Sequence, residues 1–185
     1  MSEKKLTKKD FYEAIKVAME TGDCPVDSAE VIGNNAFENC KAIKSIVFGE
    51  KLRAIGDYSF SNCYALEKVS LPDSLTYVGD YAFSYCSRLK SVSFGKGIST
   101  IGAGAFMNSA LEKVDIPSNV KVIKAYAFSE IFNLIEVKLN TGLSSIGDGA
   151  FQFTNLNEIT IPASVTVVGN KAIGYGMSGE KADGF

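Results

Sequence analysis

The feature that most constrains this chain is a phrase that returns along it at an almost constant spacing. Residues 55–60 read Ile-Gly-Asp-Tyr-Ser-Phe, and related phrases begin at residues 32, 78, 101, 123 and 146, with a partial one at 168. The steps between these starts are 22 or 23 residues. Such a period indicates a solenoid, in which each repeat forms one coil that buries its apolar side only against neighbouring coils.

A second phrase within each repeat predicts a β-strand. Residues 66–72 read Leu-Glu-Lys-Val-Ser-Leu-Pro, and counterparts lie at 43–48, 89–94, 111–117, 134–139 and 156–162. Their apolar and polar residues alternate, as in a half-buried strand. In the first phrase an Asp or Asn follows the glycine, where it would cap one helical turn. Each coil is therefore predicted to contain a short strand, a turn and a short helical or irregular return.

The combined pattern resembles a known repeat family. Leu-x-x-Val-x-Leu-Pro-x-x-Leu-x-x-Ile-Gly-x-x-Ala-Phe-x-x-Cys is similar to the BspA-like leucine-rich repeat, and the similarity covers roughly residues 26–173. The resemblance implies an α/β repeat solenoid, a right-handed coil with a parallel β-sheet on its concave side. It also implies a setting, because members often sit on bacterial or protist surfaces and bind host or matrix proteins.

The residues before the repeats predict a helix that caps the first coil. Thr7 and Asp10 form a capping-box-like pair, and Gly22 suits a helix end. One face of this helix carries an apolar stripe formed by Phe11, Ile15, Ala18 and Met19. A partner-binding or membrane-surface helix is the alternative, although acidic residues interrupt the polar face.

These observations divide the chain into three parts. Residues 1–25 form the helical cap, residues 26–173 the leucine-rich-repeat solenoid, and residues 174–185 a C-terminal tail. The last predicted strand, at residues 156–162, has no strand phrase after it and would leave an open sheet edge. We therefore expect self-association through this end, or a natural chain that continues further.

Composition argues against an enzyme. The chain contains no histidine, which excludes Ser–His and Cys–His nucleophile pairs and histidine-ligated zinc. Its glycines do not form a phosphate-binding or dinucleotide-binding motif. We expect no catalytic residue, no cofactor and no metal. With 19 basic and 21 acidic residues, nothing points to nucleic acid, and no apolar run is long enough for membrane insertion.

Two sets of residues are expected to stack inside the coils. Cys40, Cys63 and Cys86 occupy one position of successive repeats. A metal or redox site is the functional alternative. We favour buried thiols that donate weak hydrogen bonds to the backbone, because later repeats fill the position with Ser109, Ile131 and Thr154. The second set is a phenylalanine spine: Phe37, Phe60, Phe83, Phe106, Phe128 and Phe151.

Candidate partner-binding residues follow from the direction of the strand side chains. Side chains that flank the central Val or Ile of each strand point away from the core. In the C-terminal half, Lys113 would pair with Glu136 and Asp115 with Lys138. The N-terminal half is rich in serine and nearly flat, so we select its side chains, with two outward tyrosines able to stack: Ser45, Val47, Lys68, Ser70, Ser91, Ser93, Tyr58 and Tyr81.

The sequence thus predicts a non-enzymatic recognition module that binds a protein partner. The alternatives are an assembly unit that self-associates through the solenoid end and a fragment of a surface adhesin. No secretory signal is visible, so a cytoplasmic location is expected if the chain is complete. The cell surface or secretion is the alternative if a leader was removed.

Overall fold

The structure, a computed structural model, describes residues 8–174 as a parallel β-solenoid of about six turns with one helix at its N-terminal end. The helix, α1, spans Lys8–Thr21. The strands are β1 Asp23–Val26, β2 Val31–Ile32, β3 Ser45–Phe48, β4 Ala54–Ile55, β5 Lys68–Ser70, β6 Tyr77–Val78, β7 Ser91–Ser93, β8 Thr100–Ile101, β9 Lys113–Asp115, β10 Val122–Ile123, β11 Glu136–Lys138, β12 Ser145–Ile146 and β13 Val167–Val168. We number the coils one to seven by the phrases that begin at residues 32, 55, 78, 101, 123, 146 and 168.

Two kinds of parallel strand occur in the coils. The predicted strand phrases form the longer strands, which pair as β1 with β3, β5 with β7 and β9 with β11. The residues just before the repeated glycine form two-residue strands, which pair through all seven coils in one sheet, from β2 to β13. This second sheet was not predicted from the sequence. Within residues 8–174, the short strands therefore form the one sheet in which strand pairing continues from the first coil to the last, whereas the longer strands pair only two at a time.

The phenylalanine spine is confirmed. All six rings are fully buried, and neighbouring centroids lie 5.1–5.5 Å apart with ring planes within 7° of parallel. Each of coils one to six adds one ring at a distance favoured by aromatic stacking. The coil repeat and the preferred ring spacing therefore coincide along the core.

Helix α1 covers the first coil, as predicted. Ala14 and Ala18 are buried, and the Phe11 ring lies 5.2 Å from the ring of Phe37, which extends the spine into the cap. The expectation that Met19 faces the core was wrong, because its side chain is 73% exposed. Met19 lies at the edge of the apolar stripe, and the smaller Ala14 takes the central contact.

The end of α1 also follows the prediction. Gly22 has a φ of 86°, and its N–H donates to the carbonyl oxygen of Ala18 at 2.9 Å. Glycine adopts this left-handed conformation without strain. Thr7, the proposed cap at the other end, lies outside the described residues. The first strand, β1, begins at Asp23, just before the expected boundary of the solenoid.

The returns between strands are turns, and the expected helical turn after the glycine is not formed within the described coils. Each complete return has two residues with positive φ, such as Tyr58 at 56° and Asn62 at 60° in coil two. The acidic residue caps the next coil instead: Asp57 Oδ1 accepts the backbone N–H of Asp80 at 2.8 Å. The side chain accepts a backbone N–H, as a cap does, but the N–H belongs to the next coil and not to the same one.

The C-terminal end differs from the expectation. Residues 156–162 form no strand. Leu156, Ile159 and Ile161 are only partly buried against the core, whereas Leu134, the coil-five counterpart of Leu156, is fully buried. The last described coil thus presents apolar residues that earlier coils bury. Residues 175–185 of the predicted tail lie outside the described residues.

Candidate functional site: two exposed surfaces

The exposed side chains of β1, β3, β5, β7, β9 and β11 form a surface that we call the strand face. In its N-terminal half, Lys68 is in register with Ser91 and Ser70 with Ser93, and all four are exposed. Val47 is 53% exposed, and Ser45 is half-buried. The structure therefore brings the six strand residues selected from the sequence onto one side of three neighbouring strands, β3, β5 and β7.

Polar contacts in this half of the strand face are few. Ser93 Oγ donates to Ser70 Oγ at 3.0 Å, and Ser45 Oγ donates to the carboxylate of Asp23. Within residues 8–174, the ammonium group of Lys68 makes no ion pair. Small hydroxyl side chains keep the surface level, and each can both donate and accept a hydrogen bond.

The C-terminal half of the strand face is occupied by ion pairs. Lys113 Nζ lies 2.7 Å from Glu136 Oε2, which confirms the first predicted pair. Asp115 and Lys138 lie opposite one another in register, as predicted, but the ion pair of Lys138 is formed with Glu136, whose Oε1 lies 3.5 Å from Lys138 Nζ. Glu136 and Lys138 are two residues apart on one strand and so share a face. The hydrogen bond raises the pKa of Lys113 and lowers that of Glu136, but both groups are exposed and such pairs contribute little stability.

The second surface is a row of tyrosines in the turns that follow the short strands. The rings of Tyr58 and Tyr81 stack with centroids 5.0 Å apart and planes at 9°, as predicted. Tyr58 and Tyr126 are more than 40% exposed. We call Tyr58, Tyr81 and Tyr126 the tyrosine row. Burial, the neighbouring Tyr58 and Asp80 together raise the pKa of Tyr81.

The tyrosine row has unusual backbone conformations. Tyr58, Tyr81 and Tyr126 have φ values of 56°, 56° and 58°. Other coils place Gly104 and Gly149 at the same position, both at 57°. The left-handed region costs bulky side chains about 1–2 kcal/mol relative to glycine. The sequence contains one signal for these left-handed conformations: tyrosine and glycine occupy the same repeat position in different coils.

A charged cluster lies beside the tyrosine row. Lys124 replaces the repeated glycine in coil five, and its Nζ reaches back two coils to Asp80 Oδ1 at 3.0 Å. The same ammonium group lies 5.6 Å from the ring centroid of Tyr77. Burial disfavours the charged form of Asp80, but hydrogen bonds from the Ala103 N–H and from Lys124 outweigh it and lower the pKa of Asp80. Asp80 is therefore a structural carboxylate that ties three coils together.

Two of the three stacked cysteines, Cys63 and Cys86, are buried and bonded to the backbone as predicted, whereas the expectation of full burial was wrong for Cys40. Cys63 Sγ donates to the carbonyl oxygen of Phe37, and Cys86 Sγ to that of Phe60, each at 3.3 Å. Burial raises the pKa of Cys86 to about 12. Cys40 is partly buried, and Cys24 lies fully buried in β1. A thiol protonated at neutral pH is a poor nucleophile and metal ligand.

Comparison with known families identifies the repeat. The family model described as BspA type leucine rich repeat region matches residues 4–131 and 55–177, with six copies. The chain belongs to the BspA type leucine-rich-repeat family. The family resemblance drawn from the sequence is thereby confirmed.

Solved leucine-rich-repeat proteins share the fold of this BspA type chain. A protein from Bacteroides ovatus is 29% identical with a TM-score of 0.64, and the match covers 80% of this chain and 45% of that one. The T. pallidum leucine rich repeat protein is 26% identical with a TM-score of 0.71, covering 80% of this chain and 72% of that one. The BspA type chain thus spans less than half of the Bacteroides protein.

A third similar structure is a leucine rich cell surface protein from Faecalibacterium prausnitzii. It is 24% identical with a TM-score of 0.52, and the match covers 80% of this chain and 56% of that one. At this identity the likeness extends to the fold. A comparison with curated protein sequences found no significant match.

Three further features bear on what the BspA type coils could bind. Across residues 8–174, no group of three or more Cys, Asp or Glu side chains is placed to hold a metal ion. In the same range no helix has the length and apolar character needed to cross a membrane. An open depression of about 570 Å³ is lined by side chains of mixed charge: Glu30, Glu50, Lys51, Arg53, Ser74 and Thr76.

Proposed function

We propose that this chain is a non-enzymatic recognition module that binds a protein partner on the N-terminal half of its strand face. The observation that supports this most is the contrast between the two halves. Lys113, Glu136 and Lys138 engage one another in the C-terminal half. The N-terminal half exposes Lys68, which makes no ion pair within residues 8–174, and serines whose few hydrogen bonds, such as the one from Ser93 to Ser70, leave donor and acceptor capacity free. A polar group that is already bonded within the chain must give up that bond before it can bind a partner, whereas an unpaired group only exchanges water for the partner. The free-energy cost of binding is therefore lower for the unpaired group.

The shape and chemistry of this half suit a protein surface. Pro25 and Val47 are opposite one another in register, and both are exposed, so they offer an apolar edge beside the serines. Paired strands hold these side chains on a rigid backbone, which reduces the ordering cost of association. The partner we expect presents apolar atoms toward Val47 and hydrogen-bonding groups toward Ser70, Ser91 and Ser93.

Affinity capture from the native cell, followed by mass spectrometry, tests this proposal. The variant carries Ser70→Glu, Ser91→Glu and Ser93→Glu, which adds three carboxylates to the strand face. A matched control carries Ser28→Glu, Ser87→Glu and Ser118→Glu, three exposed serines outside this face. We expect partners of the wild type to be lost from the first variant and kept by the second. Equal capture by both variants would exclude the strand face.

A specific observation supports a second function, assembly of copies through the C-terminal end. Val167 is 58% exposed and Val168 43% exposed in β13. Their coil-six counterparts are half-buried Ser145 and fully buried Ile146. Solenoid ends that expose core positions in this way normally need a cover. A second copy of the chain would supply one.

Light scattering over a wide concentration range tests the assembly function. The wild type should show a mass above the monomer that falls on dilution, and Val168→Glu should shift it to the monomer. A chain truncated after Gly174 serves as the comparison for the tail. If all three chains are monomeric at every concentration, this end is not a docking site.

A further inference from the structure

The tyrosine row has a gap in it. The turn position three residues after the end of each short strand holds Tyr58 in coil two, Tyr81 in coil three and Tyr126 in coil five. Coil four places Gly104 there. The row therefore contains two adjacent rings, one missing ring and one further ring.

Each tyrosine ring leans toward the next coil along the chain. The ring edge of Tyr81 occupies the space where a Cβ on Gly104 would lie, and the ring of Tyr126 covers Gly149 in the same way. Both glycines are buried as a result. A tyrosine in place of Gly104 would place its ring over coil five. The vacant place is thus bounded by the ring of Tyr81 on one side and the ring of Tyr126 on the other.

The width of this gap suits one aromatic ring. Coils three, four and five are separated in the phenylalanine spine by ring steps of 5.5 and 5.4 Å. Tyr58 and Tyr81 show that the surface rings use the same step, at 5.0 Å. Two steps separate the rings of Tyr81 and Tyr126, so one inserted ring would stack on both at a favourable distance.

We propose that the gap between the rings of Tyr81 and Tyr126 is a binding slot for one aromatic side chain of a protein partner. This proposal deepens the recognition function but uses a different face from the strands. The strained backbone of the tyrosines supports it, because glycine and asparagine serve the same turn position elsewhere in this chain. Residues held in disfavoured conformations cluster at binding sites, where the side chain rather than the backbone is needed.

Charge near the slot favours a peptide over a nucleic acid. The Tyr126 N–H donates to the backbone carbonyl oxygen of Asp148, but the carboxylate of Asp148 reaches toward coil seven, where Oδ1 accepts the Asn170 N–H at 2.7 Å. Lys124, the nearby cation, is already paired with Asp80. The chain carries a formal net charge of -2, so it repels phosphate groups and attracts a basic side chain. The expected occupant is an aromatic residue adjacent to an arginine or lysine.

The absence of tryptophan from the chain allows a direct test. The probe is the peptide amide Gly-Arg-Trp-Gly, whose fluorescence is followed as the intact protein is added, with Gly-Arg-Leu-Gly as an unlabelled competitor control. We expect saturable binding of the tryptophan peptide and no competition by the leucine peptide. Absence of saturable binding, or equal competition by leucine, would overturn the proposal.

Two matched variants locate the binding. Gly104→Tyr fills the slot between the existing rings, whereas Gly149→Tyr places its ring beyond Tyr126 and leaves the slot open. Both substitutions are made at a φ of 57° and displace the edge of one tyrosine ring. We expect Gly104→Tyr to weaken binding by about tenfold or more and Gly149→Tyr to have little effect, since two stacked faces are lost only in the first. Equal affinities of the two variants would contradict the slot.

A second pair keeps the test decisive if Gly104→Tyr fails to fold. Tyr126→Asn removes one wall, and asparagine is compatible with the backbone because Asn35 holds the same turn position at a φ of 58°. It should lose peptide binding with an unchanged circular dichroism spectrum. The strand-face variant with Ser70→Glu, Ser91→Glu and Ser93→Glu should retain it. Retention by Tyr126→Asn would overturn the slot, and loss in the strand-face variant would place the peptide on the strand face.

Discussion

At the scale of single residues, this protein places bulky side chains where the backbone favours small ones. Phe153 and Tyr85 have a φ of 57° in the second turn of their coils, as the tyrosine row does in the first. The free-energy cost of each such conformation is smaller than the free energy gained by burying one phenylalanine side chain in the core. The fold therefore tolerates aromatic residues on its turns, and their placement is available to serve recognition.

The thiols are a second residue-scale feature, and their burial predicts a loss of stability in alkali. The pKa of Cys86 is raised from 9.0 to about 12 in the fold, so the folded protein keeps a proton that the unfolded chain releases. The stabilising contribution is complete below pH 9 and is lost as the pH rises toward 12. The free energy of unfolding, measured with guanidinium, should fall between pH 9 and pH 10.5 by about 2 kcal/mol less in Cys86→Ser than in the wild type.

Serine is a suitable replacement because Ser109 is buried at the equivalent position of coil four. The substitution itself changes stability by an amount that does not depend on pH in this range. The difference in pH dependence between wild type and variant therefore reports the thiol alone. An identical decrease in both proteins would show that Cys86 ionises freely in the folded state.

At the scale of elements, the spine is the contact that joins one coil to the next. Phe106 lies 5.5 Å from Phe83 and 5.4 Å from Phe128, and the ring of Phe94 meets it edge-on at 5.6 Å. Phe106→Ala should lower the free energy of unfolding by about 3–5 kcal/mol, because it removes a buried ring and leaves a cavity. Chemical denaturation followed by circular dichroism measures this.

An exposed ring is the control for the spine. Phe132 is 50% exposed, so Phe132→Ala should cost about 0.5 kcal/mol or less. Comparable losses for the two variants would mean that the spine is not the main contact between coils. A broad, two-step transition for Phe106→Ala would instead show that the halves of the array unfold separately.

How far the elements follow from sequence depends on how many residues carry each signal. The six phenylalanines were predicted correctly, and five of the six strand phrases form strands, because each of these signals recurs in one coil after another. The short strands such as Ala54–Ile55 contain two residues, too few for an alternation to be visible. Val167 and Val168 form such a strand at the open end, where the longer phrase at residues 156–162 does not.

The candidate site was predictable in part for the same reason. Ser70 and Ser93 were assigned to one surface from strand alternation, and they lie in register. The pairing of Lys138 with Glu136 was missed, because long side chains reach neighbours that strand register alone does not give. The gap above coil five depends on the direction in which Tyr81 leans, which no sequence pattern contains.

At the scale of the whole molecule, the coils form a one-dimensional array with two different ends. Helix α1 covers the first coil through Ala14, Ala18 and Phe11. The far end leaves Val167 and Val168 exposed. The surfaces proposed for recognition lie along the array rather than at its ends. Self-association and partner binding would therefore be compatible in one molecule.

Partner binding by the N-terminal half of the strand face can be measured by isothermal titration calorimetry with the purified captured partner. The titrated proteins are the wild type, the Ser70→Glu, Ser91→Glu, Ser93→Glu variant and the matched control at Ser28, Ser87 and Ser118. We expect Kd to rise at least about thirtyfold in the first variant, because a binding centre worth ~2 kcal/mol is lost, and to stay at the wild-type value in the control. An unchanged Kd in the strand-face variant, with its fold intact, would contradict binding at this face.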